Sequence, residues 1–251
     1  MAAQDRRDAI KHELAERGQV SVSSLSKRLG VTEETIRRDL ERFENDGVLK
    51  RTYGGAIQIP RKQAADAHFF KRVSEHLDEK RIIARNALPL LRGMSAVAAD
   101  SSTTAMEAVK LLANRSDMTL LTNSVVAFQE LADSKLTVVT PGGEFDKNTL
   151  SLRGEATKKA LEQYRVDAAL FSCKGFDEHG AFDSREGESE IKRMLLKQAS
   201  KLILLADHTK FKRAAFVKLT DLDRIDYLVT DREPSDEWKS ICERHRIELI
   251  F

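Results

Sequence analysis

Apolar residues in the first sixty positions recur three or four residues apart, the spacing that brings side chains to one face of a helix. Three short helices are predicted from this pattern, over residues 6–17, 21–29 and 32–44. Their inward positions are Ile10 and Leu14, Leu25 and Leu29, and Ile36, Leu40 and Phe43. Gly18 and Gly30 separate the helices, and Ser21 and Thr32 are suited to cap the second and the third.

The apolar pattern changes after the third helix. Residues 48–51 and 56–59 are two short extended runs joined by Tyr53-Gly54-Gly55, which predicts a β-hairpin. A hairpin directly behind a helix, a tight turn and a capped helix is typical of a winged helix-turn-helix. Residues 1–57 are therefore predicted to form a DNA-binding domain.

Residues 58–73 are polar and charged, and Pro60 ends the last strand of the hairpin, so this segment is predicted to be a linker. His68-Phe69-Phe70 is an apolar patch within it. We expect these rings to pack on the following domain or on a partner subunit, because exposed rings would promote association.

From residue 74 to 251 short apolar runs alternate with helical patterns. Strands are predicted over residues 96–99, 118–121, 136–139, 168–172, 202–206, 227–230 and 248–250. Helices are predicted over residues 78–91, with Ile82 and Ile83 inward, and over 103–113, 124–132, 188–198 and 235–244. Short apolar strands between helices predict an α/β fold with a parallel sheet covered on both faces. This second domain is predicted to bind an effector and to form the oligomer.

The outward face of the third helix carries Thr35, Arg37 and Arg38. In the major groove an arginine can donate two hydrogen bonds to a guanine edge, and a threonine can contact a phosphate or a thymine methyl. For these residues alone, a solvated arginine pair on an ordinary helix is the alternative. The surrounding helix-turn-helix pattern favours DNA binding, and the predicted DNA contacts are Ser21, Ser24, Thr32, Thr35, Arg37, Arg38, Lys50, Arg51 and Tyr53.

The overall charge does not indicate nucleic acid, because the chain carries a net charge of only +2. Residues 1–57 contain 11 Lys and Arg against 10 Asp and Glu. The DNA prediction therefore rests on where the charges lie along the helix and the hairpin.

The cysteines and the N-terminus indicate a cytoplasmic protein. Cys173 and Cys242 are far apart in the sequence and are expected to be reduced, buried thiols. No apolar segment resembles a secretory signal, and none approaches the roughly 18 residues of a membrane span. The histidines show no spacing that supports a metal site, so neither a metal nor a cofactor is predicted.

Polar residues follow the predicted strands at the edge where parallel sheets bind ligands. Asp100-Ser101-Ser102-Thr103-Thr104 follows the first strand of the second domain, and Thr122-Asn123-Ser124 follows the next. Each segment opens a helix, so backbone N–H groups and hydroxyls there suit a phosphate. Plain N-capping is the alternative for either segment alone.

Further candidates lie at the ends of the later strands. Gly142-Gly143 either lets a ligand come close to the backbone or only forms a turn. Lys174 and Lys210 are candidate ligands of phosphate or sugar oxygens, or else surface charges, while Asp100 and Asp207 are candidate partners of sugar hydroxyls. Glu188 is expected to cap its helix rather than to contact a ligand.

Four segments of the first domain match known motifs, namely R-D-A-I at 7–10, S-V-S-S-L at 21–25, T-E-E-T-I-R-R-D-L at 32–40 and Y-G-G-A at 53–56. With these segments the chain resembles the DeoR family of bacterial transcriptional regulators. The resemblance continues through the second domain and covers nearly the whole chain. It implies a sensor similar to the ribose-5-phosphate isomerase and CoA-transferase fold, a phosphorylated sugar effector and an operator on DNA.

The resemblance also assigns the effector site. The family's D-S-G-T-T, T-N-S, G-G, strand-end G and D-x-x-K-F motifs are matched by residues 100–104, 122–124, 142–143, 175 and 207–211. Ser102 stands where the family commonly has glycine and is expected to narrow the phosphate loop. Lys174 places a positive charge at a position that varies among family members, which suggests an acidic effector.

The sequence thus predicts a transcriptional regulator that represses a carbohydrate catabolism operon and responds to a phosphorylated sugar. A homo-oligomer, dimer or tetramer, is expected because helix-turn-helix proteins match operator dyads with their own two-fold axes. The first alternative is a sugar-phosphate isomerase-like enzyme with an accessory DNA-binding domain, although no catalytic residues are evident. The second is a constitutive DNA-binding protein whose C-terminal domain only oligomerises.

Overall fold

The computed structural model describes residues 6–7, 9–10, 13–14, 17–45, 49–58, 69 and 71–251. The chain divides into two compact units, Met1–Arg72 and Val73–Phe251. Val48, Ile59 and most of the predicted linker lie outside the described residues. Within the described ranges, no helix combines the length and the apolar character needed to cross a membrane.

The first unit is a small helical domain with a three-stranded sheet. Helical residues before Gly18 are followed by β1 (Gln19–Ser21), α1 (Val22–Leu29), α2 (Glu33–Asn45), β2 (Leu49–Thr52) and β3 (Gly55–Gln58). The strands pair antiparallel in the order β1-β3-β2. The core contains every predicted inward residue, namely Ile10, Leu14, Leu25, Leu29, Ile36, Leu40 and Phe43. The predicted winged helix-turn-helix is confirmed.

The boundaries of these helices follow from local chemistry. Ser21 Oγ accepts a hydrogen bond from the Ser24 N–H at 3.4 Å, and Thr32 Oγ1 accepts one from the Thr35 N–H at 3.3 Å. Gly30 ends α1 with a φ of 65°, a left-handed conformation that costs glycine little. Both predicted N-caps are therefore confirmed.

The wing differs from the prediction at Gly55, which lies in β3 and not in the turn. β3 is the middle strand, and Gly55 pairs with Ser21 of β1. A Cβ atom at Gly55 would lie 1.9 Å from the carbonyl oxygen of Val20. The glycine is thus needed for the close approach of β1, a long-range contact that the hairpin sequence alone does not show.

The second unit is built on a seven-stranded parallel sheet. Its strands are β4 (Ala96–Ala99), β5 (Thr119–Thr122), β6 (Thr137–Val139), β9 (Val166–Phe171), β12 (Ala199–Leu205), β14 (Tyr227–Val229) and β15 (Glu248–Ile250). They lie in the order β15-β14-β12-β9-β4-β5-β6. Each predicted strand of the second domain falls on one of these, which confirms the predicted parallel sheet.

Helices cover both faces of this sheet. They are α3 (Leu77–Ala87), α4 (Thr103–Lys110), α5 (Val125–Glu130), α6 (Glu155–Leu161), α7 (Glu186–Gln198) and α8 (Asp236–Arg244). One apolar cluster contains Ile83 of α3 and Val109 of α4, and the other contains Leu195 of α7 and Trp238 of α8. Ile82, predicted to face inward, is only half-buried, because Ile83, Ala84 and Ala87 form the inner face of α3.

Two small antiparallel sheets and α6 were not predicted. β7 (Glu144–Asp146) pairs with β8 (Ser151–Arg153), while β10 (Gly175–Asp177), β11 (Gly180–Asp183) and β13 (Val217–Thr220) form the second small sheet. Each of these strands is three or four residues long. Such strands are too short for a period-two pattern to stand out from loop sequence.

Of the apolar patch in the predicted linker, only Phe69 is described. It is 1% exposed, and the guanidinium carbon of Arg72 lies 5.6 Å from the centre of its ring. This distance allows a cation–π contact. His68 and Phe70 lie outside the described residues, and the packing partner of the patch stays a prediction.

Candidate functional site

The outward face of α2 carries two of the predicted base-reading residues. Arg37 and Arg38 are exposed, and each lies 3.3 Å from the glutamate one turn earlier, Glu33 and Glu34 respectively. Such surface pairs stabilise a helix by only about 0.2–0.5 kcal/mol. Either arginine can therefore exchange its glutamate for a base edge or a phosphate at little cost.

Four predicted DNA contacts are hydroxyl residues at helix starts. The hydroxyls of Ser21 and Thr32 cap α1 and α2, and Thr35 Oγ1 lies 2.9 Å from Thr32 Oγ1. Ser24 is exposed in the first turn of α1. The structure therefore gives Ser21 and Thr32 a helix-capping role in addition to the predicted contact with DNA.

The wing turn and the start of α1 line one open groove of about 410 Å³. Ser21 and Ser24 lie on one side, and Thr52 and Gly54 lie on the other. Tyr53, at the tip of the turn, is fully exposed. Arg51 is also exposed, whereas the side chain of Lys50 lies outside the described atoms. The predicted serine contacts and the hairpin are thus neighbours on one surface.

Asp39, the last residue of the T-I-R-R-D run, fixes the position of α2. Its buried carboxylate accepts hydrogen bonds from Arg6 Nε at 2.5 Å and from Arg7 Nε at 3.2 Å. The hydrogen bond to Asp39 raises the pKa of the Arg6 guanidinium. Sequence reasoning missed this role, because the partners are more than thirty positions apart.

In the second unit the polar candidates meet at the carboxyl edge of the parallel sheet. β5 and β6 extend the sheet on one side of β4, and β9 and β12 extend it on the other. The chain therefore reverses its direction of winding between β4 and β9. Ligands of open α/β sheets bind outside the carboxyl ends of strands at such a point.

Asp100 lies at this point, directly after β4, and is buried. Its Oδ1 accepts hydrogen bonds from the N–H of Ser102 at 3.1 Å and from the hydroxyl of Ser102 at 2.5 Å. Its Oδ2 accepts one from the N–H of Ser172, after β9, at 3.2 Å. Both oxygens are engaged by protein groups, so Asp100 joins β4 to β9 across the edge.

Lys192 of α7 is a buried lysine that sequence reasoning missed. Its Nζ lies 2.9 Å from Asp100 Oδ2, 2.7 Å from Asp183 Oδ2 and 2.7 Å from the Ser172 carbonyl oxygen. Burial alone would lower the pKa of Lys192, but the charges of Asp100 and Asp183 raise it above the ordinary lysine value. The lysine is therefore charged at neutral pH and holds both carboxylates at the sheet edge.

The predicted buried thiols are confirmed, since Cys173 and Cys242 are both unpaired and buried. Burial raises the pKa of Cys173 to about 12, although the positive charges of Lys192 and Lys210 oppose this rise. Burial also raises the pKa of Cys242 to about 11. Both thiols are therefore neutral at physiological pH.

Three hydroxyls at the carboxyl edge serve the helix starts. Ser102 Oγ caps α4 by accepting a hydrogen bond from the Ala105 N–H at 3.2 Å, and Ser124 Oγ caps α5 through Ala127 at 3.3 Å. Thr122 Oγ1 accepts a hydrogen bond from the Ser124 N–H at 3.1 Å. Capping, the alternative that the sequence left open, therefore accounts for these hydroxyls. Ser101, Thr103 and Thr104 are also buried at this edge.

Asn123 attaches the β7–β8 hairpin to the edge of the sheet. Its carbonyl oxygen accepts a hydrogen bond from the Leu152 N–H at 2.8 Å, and its side-chain Nδ2 donates to the Leu152 carbonyl oxygen at 3.1 Å. The N–H of Val125 donates to the Leu150 carbonyl oxygen at 2.9 Å. The hairpin thus lies against the ends of the strands that carry the candidate site.

Gly142 and Gly143 have φ angles of 68° and 120°. The Gly142 carbonyl oxygen accepts a hydrogen bond from Thr157 Oγ1 at 2.7 Å, and a Cβ atom at Gly143 would lie 1.9 Å from the same oxygen atom of Thr157. The glycines therefore allow close packing against α6. Their predicted contact with the effector stays a prediction.

The two predicted lysines differ in exposure. Lys174 has an exposed side chain, while Lys210 is half-buried and lies near enough to Cys173 to lower the pKa of that thiol. Asp207 is buried, and its Oδ1 accepts a hydrogen bond from the Thr209 N–H at 2.9 Å. Asp207 therefore shapes the turn that presents Lys210.

Glu188 lies in the first turn of its helix, and its predicted capping role stays a prediction. α7 begins at Glu186, and Arg185 occupies the N-cap position. Its charge helps to raise the pKa of Lys192. Across the described ranges, no group of three His, Cys, Asp or Glu side chains is arranged to hold a metal ion.

Both units match known families. Residues 6–62 match the DeoR-like helix-turn-helix domain, and residues 75–232 match the DeoR C terminal sensor domain. The chain is 32% identical over 251 residues to the HTH-type transcriptional repressor GlcR of Bacillus subtilis (strain 168), covering 100% of this chain and 96% of that protein. It is 30% identical over 240 residues to the L-fucose operon activator of Haemophilus influenzae (strain ATCC 51907 / DSM 11121 / KW20 / Rd). This match covers 94% of this chain and 95% of that protein.

Among solved structures, the chain is similar to a D-ribose-5-phosphate isomerase in complex with phospho-erythronic acid. The match covers 54% of each chain, with a TM-score of 0.41 and 17% sequence identity.

Proposed function

The chain belongs to the DeoR family of helix-turn-helix transcriptional regulators, and on this premise we propose that it represses a carbohydrate catabolism operon under the control of a phosphorylated sugar. It is a regulator and not an enzyme, as its relatives are named regulators. The repressor and the sugar-operon activator among these relatives support the operon class. The chain is proposed to act in the cytoplasm as a dimer or tetramer, matching an operator dyad.

DNA reading is assigned to α2 and the wing. The observation that supports it is the exposed pair Arg37 and Arg38 on a helix whose opposite face is buried through Ile36 and Leu40. Arginine donates bidentately to guanine in the major groove. The wing turn at Tyr53 and the exposed Arg51 supply contacts to the backbone or the minor groove.

Arg37→Ala tests this assignment, with Arg42→Ala, an exposed arginine in the last turn of the same helix, as the matched control. We expect Arg37→Ala to reduce the preference for the operator over scrambled DNA by about 1–3 kcal/mol. Arg42→Ala should leave that preference unchanged. Binding of labelled DNA at fixed salt measures both, and an unaltered preference in Arg37→Ala would contradict the assignment.

The effector site is assigned to the carboxyl edge between β4, β5 and β9. We place the phosphate at the first turn of α4, beside Thr103 and Thr104, with Lys174 and Lys210 at the rim. Helix N-termini bind phosphates through backbone N–H groups and the helix dipole. α5 has only six residues, so it is the weaker of the two predicted phosphate sites. Asp100 and Lys192 then position the site rather than touch the effector.

The double variant Thr103→Ala/Thr104→Ala tests this site. Thr119→Ala/Thr137→Ala is the matched control, because these threonines begin β5 and β6 at the opposite edge of the sheet. The first variant should lose the response of DNA binding to sugar phosphate while it retains DNA affinity without effector. The control should keep both, and a normal response in the first variant would place the phosphate elsewhere.

A further inference from the structure

Among the described residues, Asn123 has one buried polar atom without a partner. Its side chain is 4% exposed, and Oδ1 accepts no hydrogen bond within the part of the chain that the structure describes. The neighbouring polar atoms differ in this respect, since Asp100, Thr122 and Ser124 each accept hydrogen bonds from protein groups. A buried acceptor without a donor is costly, so a native structure seldom keeps one without a reason.

The orientation of the Asn123 amide is fixed by its other end. Nδ2 donates to the Leu152 carbonyl oxygen at 3.1 Å. Rotation of the amide by half a turn would place Oδ1 against that carbonyl oxygen, and two acceptors would then face each other. The remaining atom, Oδ1, is therefore an acceptor, and only a donor can satisfy it.

The strand register places Asn123 beside the proposed effector site. Ala99 of β4 is the register partner of Thr122 of β5, so Asp100 and Asn123 are the next residues on adjacent strands. Neighbouring strands lie about 4.8 Å apart. A ligand with its phosphate at the first turn of α4 therefore needs only a short carbon chain to reach the end of β5.

We propose that Asn123 Oδ1 accepts a hydrogen bond from a hydroxyl group of the bound effector. This assignment rests on the proposed function and gives the two strand ends different roles. The start of α4 binds the phosphate, and the end of β5 selects for a hydroxyl on the carbon chain. Carboxylates carry no proton at neutral pH, and neither does the phosphate dianion that predominates above a second pKa of about 6, so these groups cannot donate to this acceptor. The site therefore takes phosphate esters that carry a hydroxyl on the carbon chain and discriminates against simple phosphates and phosphorylated acids that lack that hydroxyl.

The test compares probes with and without hydroxyls on the full-length chain. Calorimetric titration with glucose 6-phosphate, fructose 6-phosphate, ribose 5-phosphate and methyl phosphate identifies the sugar phosphate that binds most tightly. Asn123→Leu removes the acceptor at similar volume. Asn148→Leu makes the same change at an exposed position in the turn between β7 and β8 and serves as the matched control.

We expect Asn123→Leu to weaken binding of the best sugar phosphate by about tenfold or more, because a buried acceptor built for a hydroxyl discriminates strongly. Its affinity for methyl phosphate should be unchanged, and Asn148→Leu should alter neither. If Asn123→Leu retains the full preference for sugar phosphate over methyl phosphate, the assignment is overturned while the proposed function stands. If no sugar phosphate binds the unaltered protein, both the Asn123 assignment and the proposed function fail.

Monodeoxy analogues of the best sugar phosphate provide a second measurement that needs no variant and is unaffected if Asn123→Leu loosens the hairpin. Removal of one particular hydroxyl should weaken binding to the unaltered protein by about tenfold. An analogue series in which no single hydroxyl matters would overturn the assignment.

Discussion

The residues that shape the sensor site are buried and half-buried charges that pair with one another. Asp100, Asp183 and Lys192 form a cluster in which one ammonium group serves two carboxylates. Burying such groups is tolerable only because each charge is paired and hydrogen-bonded. The cluster joins the ends of β4, β9 and β11 to the middle of α7, so its integrity sets the geometry that an effector meets.

Lys192→Met is expected to lower the free energy of unfolding of the second unit by about 3–5 kcal/mol, because it leaves the buried carboxylate of Asp100 and the half-buried carboxylate of Asp183 without their cation. When Asp183→Asn is combined with Lys192→Met, the double variant should regain part of the lost stability. Lys197→Met, at an exposed position on α7, should change stability by less than about 0.5 kcal/mol. Urea unfolding monitored by circular dichroism compares the three, and equal effects of Lys192→Met and Lys197→Met would contradict the role of the cluster.

Residues whose partners are close in sequence could be predicted, and residues whose partners are distant could not. Ser21 and Thr32 cap helices that begin at the next residue, so local pattern was sufficient to identify them. Asp39 and Lys192 bind partners on other elements of the fold. Nothing in the residues around them distinguishes a buried ion pair from a solvated charge.

At the scale of elements, the first unit depends on a close approach of β1 to the wing. β1 is the third strand of a sheet whose other two strands form the hairpin. Its pairing with β3 ties the wing turn to the start of α1, where Ser21 and Ser24 lie. The hairpin is therefore held in a fixed position relative to α1.

Gly55→Ala is expected to disrupt this sheet, since the new Cβ atom would lie 1.9 Å from the Val20 carbonyl oxygen. Overpacking of this kind destabilises by about 1–3 kcal/mol, and DNA affinity should fall with the loss of the wing. Gly54→Ala is the matched control, because a Cβ atom there would point into open space among the described residues. Thermal unfolding and DNA titration measure both effects. If Gly55→Ala changes neither stability nor DNA affinity, the wing does not need β1.

The alternation of strands and helices in the second unit was predictable, because each buried strand is a run of apolar residues between helical patterns. The two small antiparallel sheets were not. Their strands are short, and the β7–β8 hairpin is fixed to the sheet by hydrogen bonds between Asn123 and Leu152. Such contacts appear only once the chain is folded.

At the scale of the whole molecule, the proposed regulator combines a DNA-reading unit with an effector-binding unit. An effector can regulate DNA binding only if it binds one arrangement of the protein more tightly than another. The free energy of that difference must then appear as a change in DNA affinity. Much of the specific affinity comes from phosphate contacts, so any such change must be measured at fixed salt.

The most direct test is the fluorescence anisotropy of labelled DNA from the region upstream of this protein's own gene, titrated at fixed salt with and without sugar phosphates. We expect specific binding that one sugar phosphate weakens by about 5–150-fold, while the corresponding unphosphorylated sugar has no effect. Specific binding that no sugar phosphate alters would contradict control of the first unit by the second.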